Sequence, residues 1–304
     1  MRQHPELQKA LSSPIPSIRV PFTRAGDIDV KGLAAYVERC LANGATALML
    51  TWGDSLYSLL TDDEVAEVTR RVVEQTRKRA VVIAADRVWW TGKTVEFARF
   101  CRQTGAAVLM VLPPDWAESC TVETLVAHYR AVGQEIPVML VTNYLAKRAD
   151  ALRLELIRQV YERAPEVVAV KDDVGGEFGA RMTALTHERW TVIAGGTKRL
   201  HFHLAPHGCQ GHLSTLMVYK PEIAWHYWRA MAAGDTQTGG DMVSRIDRPL
   251  FDVLMATPGS FDAALHGWGE LVGLCGRWRR SPYHSLTDSE LESLAAGLRR
   301  IGML

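Results

Sequence analysis

The 304-residue sequence has only five cysteines, Cys40, Cys101, Cys120, Cys209 and Cys275, and no CxxC pair among them. An odd number at wide spacing argues against a disulfide framework and a structural zinc site, and predicts reduced thiols in a cytoplasmic protein. Charge of one sign is missing as well. Lys plus Arg number 35 and Asp plus Glu 34, a formal net charge of +1, which leaves no electrostatic footprint for nucleic acid. No apolar run approaches the roughly 20 residues of a membrane span. The opening MRQHPELQKALSSPIPS has no apolar core of a secretory leader. Neither nucleic acid nor membrane is therefore expected as a partner. Low-complexity segments are absent too, and 47% hydrophobic with 23% charged residues is the balance of an ordinary globular chain.

What the sequence does have is a repeat of short apolar runs. They fall at residues 17–22 (SIRVPF), 47–51 (ALMLT), 81–85 (VVIAA), 108–112 (VLMVL), 138–141 (VMLV), 167–170 (VVAV), 191–194 (TVIA) and 211–215 (GHLST), with starts 20 to 34 residues apart. Each is too short for a helix and apolar throughout, as strands buried on both faces of a parallel sheet are. Amphipathic stretches of helical period lie between them, at 30–43, 61–78, 91–103, 121–134, 151–163, 177–186, 198–207 and 221–233. In the second, Thr61 and Glu64 have the spacing of a capping box.

Eight strand–helix pairs predict an α/β fold, a (β/α)8 TIM barrel over residues 1–235. The alternative, an open doubly wound sheet, usually carries a glycine-rich turn after its first strand, and VPFTRAGDID is not one. Residues 236–304 show no strand pattern. Helical stretches at 241–255, 261–275 and 287–301 predict a C-terminal helical appendix packed on the barrel. The basic run Arg277, Arg279 and Arg280, broken by Trp278, is read as solvated.

The active site of such a barrel lies at the C-terminal ends of its strands, so the residues after each apolar run are the candidates. Lys171 ends the run EVVAVK and is expected to point into the barrel mouth. A lysine there is costly unless paired or used: burial favours the neutral amine, which attacks a ketone to form a Schiff base. The competing reading is a structural salt bridge with Asp172 or Asp173. If strand alternation persists, Asp173 shares a face with Lys171 and Asp172 points away. Both carboxylates suit either acid–base work or the capping of the next helix. The turn AGGTKR at 194–199 is a candidate phosphate loop or an ordinary pocket wall. His203 and His207 share a helical face, but no matched carboxylate follows, and no metal is expected.

Taken together, VPFTRAGDIDVKGLAAYVERCLANGATALML, TWGDSLYSLLTDDE, VLPPDW, IPVMLVTNY, VVAVKDDVGG, GCQGHLSTLMVYKP and RRSPYHSLTDSELESL resemble, in order and spacing, the dihydrodipicolinate synthase / N-acetylneuraminate lyase superfamily of Schiff-base aldolases and dehydratases. The resemblance runs over nearly the whole chain. It implies that Lys171 forms a covalent imine with a 2-oxo acid such as pyruvate, with no metal or organic cofactor. It also implies that Thr51 and Tyr144 serve in catalysis, and that Trp52, Gly53, Asp115, Trp116, Asp173, Gly195 and Ser214 line the substrate site. Backbone amides and a Thr or Ser hydroxyl would hold the carboxylate. The partner implied is a small 2-oxo acid, and the assembly a homo-oligomer, dimer or tetramer, for which Trp225 and Trp268 are read as exposed packing residues.

Departures from the family pattern set the expected activity apart from dihydrodipicolinate synthase itself. The second threonine of the family's Gly-Thr-Thr-Gly-Glu segment is Trp52, and its glutamate is Asp54. The relay tyrosine falls at Val141 or Thr142, depending on a one-residue gap, with Tyr144 close by as a substitute. The interfacial tyrosine falls at Trp116 and its neighbour at Asp115. The arginine for the second substrate has only Lys147 or Arg148 as a counterpart. Trp52, Trp116, Trp89 and Trp90 either line one pocket or pack at a subunit interface. The function implied is a lyase, aldolase or dehydratase, acting on a pyruvate-yielding 2-keto-3-deoxy sugar acid or related compound. The alternatives are a non-catalytic barrel that binds an oxo acid or sugar acid, and a hydratase-aldolase for an aromatic pyruvate derivative.

Overall fold

A computed structural model describes residues 4–114 and 118–304. Eight parallel strands form one sheet: β1 (Pro14–Ile15), β2 (Ala47–Met49), β3 (Val81–Ala85), β4 (Val108–Val111), β5 (Val138–Val141), β6 (Val167–Asp172), β7 (Thr191–Ala194) and β8 (Gly211–Leu213). Their order runs from β1 to β8 and then down to β2. A bridge between Ser17 and Met49 joins the two ends, so the sheet curls into a TIM barrel with helices between successive strands. Every residue of β2, β4, β5, β6, β7 and β8 is buried, which is why these runs read as apolar on both faces.

The first strand differs from expectation. It lies at Pro14–Ile15 rather than 17–22. Pro14, Pro16 and Pro21 have no N–H to give a ladder, so the segment pairs in pieces. Ile15 accepts from the Ser214 amide at 2.8 Å, and Pro16 from Met49 at 3.1 Å. The segment thus changes partner from β8 to β2 at Pro16, and that change closes the ring.

The helices begin where local chemistry satisfies their free N–H groups. Thr61 and Glu64 form the reciprocal capping box that their spacing predicted, starting the helix Asp62–Thr76. Thr121 and Thr287 start theirs in the same way. A helix at Pro5–Leu11, unforeseen in the sequence, precedes β1. After β8 the chain is helical nearly to its end, through Thr236–Met242, a π-helical turn at Val243–Asp247, and the helices Arg248–Ala256, Ser260–Leu271 and Asp288–Arg300. Their Leu250, Leu254, Leu265, Trp268, Leu294 and Leu298 belong to the same buried cluster as the strands. Among the described residues no helix is long and apolar enough to cross a membrane.

Two surface expectations fail here. Trp268 is fully buried and stacks on Tyr219 with ring centroids 4.2 Å apart, and Trp225 is half-buried with its indole N–H on the Asn43 carbonyl. These rings seal helices to one another, so they are not exposed packing residues. The basic run is not solvated either. Arg277 pairs with Glu270 and Asp288, and Arg279 with Asp262. Arg280 grips Glu64 and the carbonyls of Gly26 and Leu59. Carboxylates from distant elements meet these guanidiniums and tie the C-terminal segment across the barrel.

Candidate active site

The strand β6 runs two residues past its apolar stretch and carries Lys171 near its C-terminal end, in register with Val141 of β5 and Ile193 of β7. Lys171 is 8% exposed. Its Nζ stands 2.5 and 2.6 Å from the two carboxylate oxygens of Asp173. Asp172 turns the other way, as strand alternation requires. Its Oδ1 accepts from the Thr142 hydroxyl at 2.7 Å and the Val174 amide at 3.0 Å, and its Oδ2 from the Gly175 amide at 3.1 Å. Burial holds the Asp172 carboxyl above its ordinary range, against the pull of these hydrogen bonds. Asp172 therefore fixes the β6 loop, while Asp173 belongs to Lys171.

Gly195 closes the third side. Its amide donates to the Asp172 carbonyl at 2.7 Å. A Cβ here would lie 1.7 Å from Asp173 Oδ1 and 2.9 Å from Lys171 Nζ, so bare backbone at this position leaves room for the pair. From it an open cleft of about 500 Å³ runs outward past Gly196, Thr197, Arg199 and His203. Arg199 is exposed, and no ion pair reaches it among the described residues.

Thr51, after β2, is buried. Its hydroxyl oxygen accepts from the Asp54 amide at 2.9 Å, and among the described residues nothing accepts the hydroxyl proton; its own amide donates to Ser55 Oγ at 3.0 Å. Trp52 is half-buried against the core and Gly53 is exposed. Ser214, after β8, is buried, and its Oγ has no hydrogen-bond partner among the described residues. It borders a second cavity, lined also by Gly196, Thr197 and Thr215.

Other expected residues go elsewhere. Asp115 and Trp116 lie outside the described residues. Tyr144 is half-buried, its hydroxyl held above its ordinary pKa by burial and by Asp86; no hydrogen bond joins it to Lys171 among the described residues. Trp89 packs edge-on against Phe97 and under Lys93. Trp90 is 69% exposed. Arg148 is buried and donates to the Cys120 carbonyl at 2.6 Å. His201 packs 5.0 Å from His212 rather than with His203 and His207. Among the described residues no three His, Cys, Asp or Glu side chains gather as a metal site.

Sequence reasoning missed two charged partners. Arg19, 2% exposed, reaches Asp54 at 3.4 Å and Asp262 at 4.0 Å. Lys198, 4% exposed, pairs at 2.5 Å with Asp247 of the π-helical turn. Asp247 is 49 residues further along the chain, and no local signal connects the two.

Asp86, just past β3, is fully buried and accepts from the Leu112 amide at 3.1 Å. Burial raises its pKa from 3.8 to about 7, against hydrogen bonds from Leu112, Val88 and Thr94. The fold thus prefers the protonated acid. The corresponding stability is fully present below the ordinary carboxylate pKa and is lost as pH rises through about 7. Asp86→Asn should flatten that slope, which amounts to roughly 4 kcal/mol for a shift of this size. Urea titrations of both proteins at pH 4 and pH 8 check it, and parallel curves would refute it.

The sequence profile described as the dihydrodipicolinate synthetase family matches residues 10–301. A 4-hydroxy-tetrahydrodipicolinate synthase from Exiguobacterium is 30% identical over 84% of this chain and 88% of its own. A probable 5-dehydro-4-deoxyglucarate dehydratase from Azotobacter vinelandii is 27% identical over 98% of both chains. The solved dihydrodipicolinate synthase from Oceanobacillus iheyensis superposes with a TM-score of 0.84 at 21% identity, over 98% of this chain and 99% of its own; that likeness speaks for the fold.

Proposed function

Because the chain belongs to the dihydrodipicolinate synthetase family of lyases, we propose that it forms an imine between Lys171 and a 2-oxo acid and dehydrates a 2-keto-3-deoxy sugar acid. The observation that carries this reading is the pairing of buried Lys171, at the end of β6, with Asp173, which borders an open cleft. A neutral lysine amine adds to the C2 carbonyl and water leaves. The protonated imine then draws electrons from the adjacent carbon. The Thr51 hydroxyl and the backbone N–H groups of Trp52 and Gly53, which donate to no described group, suit the C1 carboxylate. The unpartnered Ser214 Oγ suits a hydroxyl further along the substrate. No external cofactor enters, since the imine nitrogen is the electron sink.

Relatives matched over nearly their whole length include both dehydratases and synthases; Trp52 and Val141, which depart from the synthase pattern, favour dehydration. The cleft adds support for an acidic far end, because Arg199 and His203 line it beyond Asp173. Arg199→Ala should raise KM about tenfold for a dicarboxylic 2-keto-3-deoxy acid and less for its monocarboxylic analogue. Equal effects on both would remove Arg199 from recognition. The proposed function itself is tested with a panel of 2-keto-3-deoxy acids, following loss of the substrate and release of its dehydrated product. A panel without turnover, together with tight binding of pyruvate, would instead favour a binding barrel.

A further inference from the structure

Imine chemistry on a 2-oxo acid needs a group that carries a proton to and from C3 of the substrate. Among the described residues no hydroxyl bonds to Lys171. The residue in register with Lys171 on β5 is Val141, whose side chain has no proton to exchange. The Thr142 hydroxyl is committed on both sides, donating to Asp172 Oδ1 at 2.7 Å and accepting from the Asp173 amide at 2.9 Å. Asp172 is fully buried and occupied by Thr142 and two backbone amides. Asp173 differs. Both its oxygens are within 2.6 Å of Nζ, its side chain is 20% exposed, and it opens onto the cleft. The Asp173 amide held by Thr142 fixes the backbone from which the carboxylate projects.

We propose that Asp173 is the catalytic residue that moves the C3 proton, a carboxylate acting where β5 sets a valine in register with the lysine. This rests on the imine reading of Lys171. With C2 joined to Nζ as a protonated imine, Asp173 takes a proton from C3. The C–H electron pair becomes the C2=C3 bond and the imine π pair moves onto nitrogen, giving a neutral enamine. The nitrogen pair then re-forms C=N, the C2=C3 pair shifts to C3=C4, and hydroxide leaves C4. The proton on Asp173 joins that hydroxide as water. The carboxylate is regenerated, one water is lost, and no oxidant or reductant is consumed. The same carboxylate faces the cationic imine and stabilises it once formed.

The test separates the two steps. Wild-type protein with pyruvate in D2O should exchange the methyl protons for deuterium, followed by proton NMR, and sodium borohydride should trap a pyruvyl adduct on the Lys171 peptide. Asp173→Asn should still give the trapped adduct while exchange slows about 100-fold or more. Asp173→Ser serves as a second variant if the amide disturbs folding, which circular dichroism reports. Trapping with exchange at the wild-type rate in Asp173→Asn overturns the proposal. So does loss of trapping in a folded variant, which would place Asp173 before the imine. Exchange lost in Tyr144→Phe but kept in Asp173→Asn gives the role to the tyrosine. A wild-type protein that yields no adduct overturns the imine reading itself.

Discussion

Lys171→Ala should abolish the borohydride-trapped adduct and lower kcat on the order of 10⁴-fold or more, because losing the nucleophile removes the whole covalent route rather than one contact along it. Peptide mass spectrometry of wild type and variant after reduction with pyruvate reads this directly. Among the described residues no other lysine at the strand ends is placed to replace it. Lys198, the other buried lysine, is tied to Asp247 by both its amine and its backbone amide, and Lys147 is exposed on the loop after β5. The barrel should survive the change, since the side chain's partner is Asp173, which is part exposed and keeps its backbone bond to Thr142. Residual turnover above one part in a hundred would mean that the reaction does not pass through an imine at this lysine.

Arg19→Met should destabilise the protein by about 2–3 kcal/mol, below the usual cost of orphaning a buried charge because Asp54 and Asp262 keep 30% and 26% of their side-chain surface in solvent. Burial opposes the charge of Arg19, but Asp54, Tyr36, Tyr219 and Asp262 around it raise its pKa. Burial likewise pushes the Asp54 carboxyl up, but Arg19, the Ser17 hydroxyl and Lys171 together outweigh it, leaving that carboxyl below its ordinary range. A depressed carboxylate contributes stability above its unfolded-state pKa and loses it as pH falls through the folded one. The deficit of Arg19→Met should therefore be largest near neutral pH and shrink in acid, once Asp54 is protonated in both proteins. Methionine keeps most of the volume, so the loss reports charge rather than a cavity. Urea denaturation at pH 7 and pH 3.5 measures it; a deficit independent of pH would assign the effect to packing. Activity should fall too, because the Asp54 amide holds the Thr51 hydroxyl oxygen.

Composition and local order made much of this molecule legible. The eight apolar runs marked the strands because a parallel sheet covered on both faces leaves no polar alternation to confuse the pattern. Thr61 and Glu64 marked a helix start because capping acts over three residues. Lys171 and Asp173 shared a face because strand alternation is local geometry. The first strand was misplaced because its backbone divides its bonds between β8 and β2, a choice made by the closing of the ring rather than by SIRVPF itself.

Charge pairing was the part that the sequence did not contain. Arg277, Arg279 and Arg280 read as a solvated run because only folding brings Glu64, Asp262, Glu270 and Asp288 to them. The same is true of Arg19 with Asp54 and of Lys198 with Asp247. Trp268 read as surface because helical periodicity does not reveal which face a second layer will cover. The sequence by itself determined the barrel and the place of Lys171 at the C-terminal end of β6. The tertiary structure decided which carboxylate that lysine meets, which hydroxyls are already engaged, and where the exposed Arg199 guanidinium stands. Periodicity and capping act within a few residues, whereas ion pairs and cavities form between segments that only the closed barrel brings together.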